Sequence, residues 1–117
     1  MARISATARG ARVMGMTASK ESELHRRLAQ VESVAGFMRV HKVDEEQVQA
    51  FVVRCICRVE EDLLIVLAND VHLDTKLRRL DTIVEFLHDQ NVQPNAIQEF
   101  VLRCVTRLET EIEDRQT

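Results

Sequence analysis

Residues 49–60 read QAFVVRCICRVE, and residues 98–109 read QEFVLRCVTRLE. These stretches are the best-matched part of a longer correspondence: residues 24–68 align with residues 73–117 at a constant offset of 49, without a gap and with eleven identities in 45 positions. Outside the quoted stretches the identities are Leu24/Leu73, Leu28/Leu77, Phe37/Phe86 and Val43/Val92. An offset of 49 is seven heptads, so every apolar position keeps its helical phase from one copy to the other. Repetition at such a period is the mark of stacked helical units. The expected fold is all-α, with two tandem pseudo-repeated antiparallel helical hairpins forming a four-helix bundle-like domain.

Composition points the same way. Three Gly and one Pro interrupt the chain, Trp and Tyr are absent, and 30% of residues are charged, which suits helices packed through aliphatic side chains. A chain of 117 residues is one domain's worth and needs no metal or disulfide to fold. No apolar run reaches the roughly 18 residues that a membrane-spanning helix requires.

The first helix is expected to start near Ser19, with Glu21 and Glu23 in its electropositive first turn and Leu24, Leu28, Val31, Ala35 and Met38 along its core stripe. The third repeats that stripe with Leu73, Leu77, Leu80, Val84 and Leu87. Phe37 and Val34, and likewise Phe86 and Ile83, widen the same side. Helix two opens on Asp44 as N-cap, with Gln47 reaching back and Val43 packing on Val48. Helix four has Pro94 at its first position and the staple pair Val92 and Ile97. Short loops at 40–43 and 89–92 make each pair an antiparallel hairpin, and Asn69-Asp70 joins the pairs.

On a helical wheel, helix two places Val48, Val52, Cys55, Ile56, Val59, Leu63, Val66 and Leu67 in one arc, and helix four answers with Ile97, Val101, Cys104, Val105, Leu108 and Ile112; both arcs are expected to face the core. Helix two carries a second stripe, Val53, Cys57 and Leu64, where helix four has Leu102, Thr106 and Glu113. A helix apolar on two sides is buried on two sides. Either helix two is central in the monomer or its second stripe meets a partner chain; in a four-helix arrangement of two layers the partner is favoured, and a homodimer is expected.

Residues 1–18 are expected to form a flexible basic tail, and residues 19–117 a single helical domain, with repeat one at 19–68 and repeat two at 69–117. Residues 1–20 contain Arg3, Arg9, Arg12 and Lys20 and no acid, against a net charge of −7 for the rest. An Arg-rich, acid-free N-terminus also has the composition of a mitochondrial targeting segment, which makes the mitochondrial matrix the alternative to a cytoplasmic location. Cys55, Cys57 and Cys104 form no CxxC pair, and Cys55 and Cys104 are repeat-equivalent on an apolar face, so they read as reduced core residues of a reducing compartment.

Sites for chemistry are few. His25, His41, His72 and His88 share no face and make no HxxxH or HExxH spacing, so no metal is expected. No Gly-rich phosphate loop is present, no thiol stands beside a His in sequence, and no cofactor is implied. The chain therefore reads as a non-enzyme. The polar feature kept by the repeat is R-C-x-x-R-x-E: Arg54, Arg58 and Glu60, then Arg103, Arg107 and Glu109. Two guanidinium forks four residues apart suit a carboxylate, a phosphate or an acidic helix. They can also be satisfied along their own helices, Arg58 by Asp62, Arg103 by Glu99 and Arg107 by Glu111.

The leading reading is a protein-binding regulator, adapter or assembly subunit that docks through a helix face. Its partner surface is expected to comprise Val53, Cys57 and Leu64 as apolar anchors and Arg54, Arg58, Arg103 and Arg107 as orienting charges. The alternative is an anion- or nucleic-acid-binding protein using the Arg edge and the basic tail. A sequence pI of about 5.8 and the lack of an aromatic platform weigh against nucleic acid.

Overall fold

A computed structural model describes residues 16–116, and within them every regular element is helical: α1 Met16–Val40, α2 Glu45–Asp62, α3 Leu73–Asp89 and α4 Pro94–Gln116. Helix α1 packs on α2 and α3 on α4, while α3 also touches both α1 and α2. The molecule measures 51 × 44 × 17 Å. Since packed helix axes lie about 8–10 Å apart, its thin dimension holds two layers of helices. Of the basic tail expected over residues 1–18, residues 1–15 lie outside the described residues and 16–18 fall within α1. Ser19, the expected cap, lies inside α1.

Each of the first three helices ends in the same way. The residue after the C-cap has positive φ: Lys42 at 65°, Leu64 at 53° and Asn91 at 63°. Its N–H bonds back to the third residue before it, and the next N–H bonds to the fifth before that one: Val43 to Met38, Ile65 to Glu60 and Val92 to Leu87, at 3.0–3.1 Å. This is the Schellman closure, which satisfies the terminal carbonyls and turns the next residue inward. Val92 and Ile65 are accordingly buried, and Val43 packs on the core.

The closure at Leu64 explains why α2 is shorter than its apolar pattern. The wheel carried the helix through Leu67, but it stops at Asp62, and residues 63–72 form an irregular connection. Ile65 and Val66 still reach the core, from this connection and not from a helix face. The carboxylate of Glu60 accepts the Val66 N–H at 3.2 Å, and Lys20 Nζ donates to the Leu63 carbonyl at 2.9 Å, so the connection is fastened at two points. At the start of α2, Asp44 is the N-cap residue but makes no side-chain cap bond; its carbonyl accepts from Gln47 and Val48 instead.

Helices α2 and α4 bury different faces. In α2 the buried positions include Val48, Val52, Ile56 and Val59; in α4 they are Ile97, Phe100, Cys104 and Leu108. Of the arc expected to face the core in α4, Val101, Val105 and Ile112 are 36–40% exposed. The reason is position in the stack: α2 has α3 against it as well as α1, whereas α4 comes last and packs chiefly on α3.

Candidate interaction faces

Arg39 ties the two turns together. Its guanidinium donates to both carboxylate oxygens of Glu45 at 3.2 and 2.9 Å, and to the side-chain and main-chain oxygens of Gln90, both at 3.0 Å. Those bonds hold the Glu45 carboxyl below its ordinary value. Gln49 Oε1 accepts the Gln93 N–H at 3.2 Å beside them. At the other end of the helices, Arg79, almost fully buried, donates through Nε to Glu21 at 2.8 Å and joins α3 to α1.

The arginines of the repeated motif divide between two roles. Arg107 Nη1 donates to the buried Glu60 carboxylate at 2.6 Å, and Arg103 reaches Glu61 at 2.9 Å and the Cys57 sulfur at 3.2 Å. All three bonds cross from α4 to α2. The pairings along one helix expected for Arg58 and Arg103 are not those found: Asp62 pairs with Arg27 at 3.1 Å, and Arg103 turns to Glu61. The carboxylates of the pairs found are also about half exposed, so like the pairings along one helix these pairs contribute about 1 kcal/mol or less each. The expected Arg107–Glu111 pair involves a side chain outside the described ones. Arg54 and Arg58 are exposed and make no ion pair or hydrogen bond among the described residues.

The apolar anchors also separate. Val53 and Cys57 are half-buried and packed on the core, with Arg103 across the Cys57 sulfur. Leu64 is 49% exposed and sits beyond the end of α2, off any stripe that α2 could present. Leu67 and Leu102 are also uncovered, at 55% and 64%, and two further groups stand out, one on α1 and one along the groove between α3 and α4.

On α1, Phe37 and Val40 are 64% and 74% exposed, with the Phe37 ring tilted against His41. A separate shallow groove of about 270 Å³ lies between α1 and α2, walled by Val34, Phe51 and Cys55 and rimmed by Arg27 and Arg58. Burial pushes the Cys55 thiol up, against the opposing pull of Arg58 and Arg54. A larger groove of about 540 Å³ between α3 and α4 is walled by Leu77, Phe100, Val101 and Val105 and rimmed by Asp74, Asp81 and Arg78. Its floor holds Cys104, whose thiol burial pushes up to about 11. The first groove is rimmed by basic residues, the second mainly by acidic ones.

Sequence reasoning missed Arg39, Glu60, Lys76, Arg79 and Gln90 as structural groups, the last four of them buried. The repeat's retained R-x-E spacing marks Glu60 in the sequence, but not its burial. All three cysteines are free thiols. Among the described residues no cluster of His, Cys, Asp or Glu is placed to hold a metal, and no helix is long and apolar enough to cross a membrane. No known protein family, characterised protein or solved structure matches the chain.

Proposed function

We propose that this is a non-enzymatic assembly or adapter subunit, made of two hairpins of one repeated design, that binds protein through helix faces. The observation carrying this reading is the pair of uncovered apolar faces, Val34, Phe37 and Val40 at one end and Leu77, Val101 and Val105 at the other. Repeat proteins ordinarily close their terminal faces with polar residues, because an apolar end invites association. Self-association, first expected through Val53, Cys57 and Leu64, is assigned here to the end faces, since Val53 and Cys57 are half-buried against the core and Leu64 stands off the helix. The cytoplasm is the proposed location, in keeping with three free thiols. An affinity pull-down comparing the unmodified chain with Phe37→Glu tests the reading: the partner recovered by the first should be lost by the second. Equal recovery with both Phe37→Glu and Leu77→Glu would overturn it.

A second reading, anion or nucleic-acid binding, draws on Arg54 and Arg58, which are exposed and unpaired among the described residues. Affinity for an oligonucleotide should then fall by orders of magnitude between about 50 and 200 mM salt, whereas an apolar contact should hardly respond.

A further inference from the structure

The contact between the two halves of the chain has two sides, and each side recurs, uncovered, at an end of the molecule. Across the α1–α3 crevice, His25, Leu28, Ala29 and Glu32 of α1 face Thr82, Glu85, Phe86 and Asp89 of α3. Moved forward by 49, the α1 set becomes Asp74, Leu77, Arg78 and Asp81, which are the α3 wall of the open groove against α4. Moved back by 49, the α3 set becomes Ser33, Gly36, Phe37 and Val40, which are exposed or half-exposed on α1. The seam between α2 and α4 behaves alike. Its buried bond joins Arg107 to Glu60, whose repeat equivalents are Arg58 in place of Arg107 and Glu109 in place of Glu60; both are exposed and unpaired among the described residues.

We propose that a second copy of this chain stacks head to tail on the first, continuing the internal pitch. The α1 face of one copy, with Phe37 and Val40, seats against the α3–α4 groove of the next, with Leu77, Val101 and Val105, and Arg58 of one copy pairs with Glu109 of the other. The inference rests on the repeated-hairpin reading and names the partner that reading leaves open. Three observations select a second copy as occupant. Both halves of the required contact are present on the same molecule and open. Their rims lean to opposite charge, with Arg58 and the Asp62-paired Arg27 around the α1–α2 groove, and Asp74 and Asp81 with a single Arg78 around the α3–α4 groove. The arrangement has a template inside the chain, the α1–α3 crevice, where Leu28 is buried and His25, Ala29, Glu32, Glu85 and Asp89 line the open edges. Because the two faces differ, the association is heterologous and adds copies in a line instead of closing as a two-fold dimer.

Sedimentation velocity on the full chain tests this with two variants at exposed positions, Phe37→Glu to block one face and Leu77→Glu to block the other, each checked for an unchanged helical melting curve. The unmodified protein should pass from monomer to dimer and longer species as concentration rises. Each variant alone should stop at monomer, and a 1:1 mixture should give dimer and nothing larger, because one good face of each kind remains. Arg58→Glu and Glu109→Arg should each weaken association about tenfold, and the double variant should recover it. A protein monomeric up to about 1 mM, which bounds the dissociation constant above that concentration, overturns the proposal. So does a variant that still dimerises alone, the signature of an isologous contact. The first result leaves protein binding standing if Phe37→Glu still loses a partner in the pull-down; loss of neither contact would count against both.

Discussion

Arg107 Nη1 stands 2.6 Å from Glu60 Oε1, and of the two side chains it is the carboxylate that is buried, 2% exposed against 25% for the arginine. Glu60 also accepts the Val66 N–H, so one carboxylate fastens α4 and the connection after α2 to the same point. Removing one member of a buried pair strands the other, which costs more than the pair contributes when whole.

Arg107→Ala is therefore expected to lower stability by about 3 kcal/mol, while Arg103→Ala, whose partner Glu61 is half exposed, should lower it by less than about 1 kcal/mol. Urea denaturation of the two variants checks this. Equal losses would show that the buried carboxylate does not depend on Arg107.

Leu64 occupies the left-handed region at φ 53° with half its side chain in solvent. A branched residue there carries about 1–2 kcal/mol of strain that glycine lacks, while glycine loses more chain entropy on folding. The balance predicts that Leu64→Gly raises stability by about 0.5 kcal/mol, seen as a higher melting temperature. A fall of more than about 1 kcal/mol would reveal packing by the Leu64 side chain that outweighs the strain.

The Arg39–Glu45 clamp gives an acid-side signature. Hydrogen bonds from Arg39 hold the Glu45 carboxyl below its ordinary 4.5, so the folded state binds this proton less readily than the unfolded state. Its contribution is present above about pH 4.5 and is lost as pH falls through the lower folded value. The stability difference between the unmodified protein and Glu45→Gln should accordingly shrink on acidification from pH 6 to pH 3, as followed by denaturation at each pH. A difference that stays constant would mean that the carboxylate charge is not what Arg39 stabilises.

The helices were legible because their stripes and turns obey local rules: Val43 and Val92 signal both the end of one helix and the staple of the next. The early stop of α2 was not, because Leu63 to Leu67 continue an apolar run in helical phase and only the left-handed Leu64 breaks it. Nor could spacing show which faces stay uncovered. Val52 and Val101 are the same residue in equivalent positions, yet one is buried and the other 36% exposed, since burial depends on whether another helix follows in the stack. The repeated arginines were visible as a motif; that Arg103 and Arg107 serve the seam while Arg54 and Arg58 stay open depends on the same asymmetry of ends.

Cys104 provides an alkaline counterpart to the Glu45 test. It is 1% exposed, and burial first, then the charge of Glu60, pushes its thiol from 9.0 up to about 11. Between those values an unfolded chain has released this proton and the folded chain retains it, so the folded state binds more protons and stability falls as pH rises. The contribution is whole below pH 9.0 and fades toward 11. Lysines titrate in the same range, so the informative quantity is the difference between the unmodified protein and Cys104→Ala: the variant should be less stable at pH 7 because of the small cavity, and the gap should close as pH is raised. Thiol labelling gives an independent reading, since the thiolate is the reactive form. Half-buried Cys55 and Cys57 should react with a disulfide reagent in the folded protein, and Cys104 only at the rate of unfolding. Prompt labelling of Cys104, with no effect of added denaturant, would show that the groove between α3 and α4 opens to its floor without unfolding.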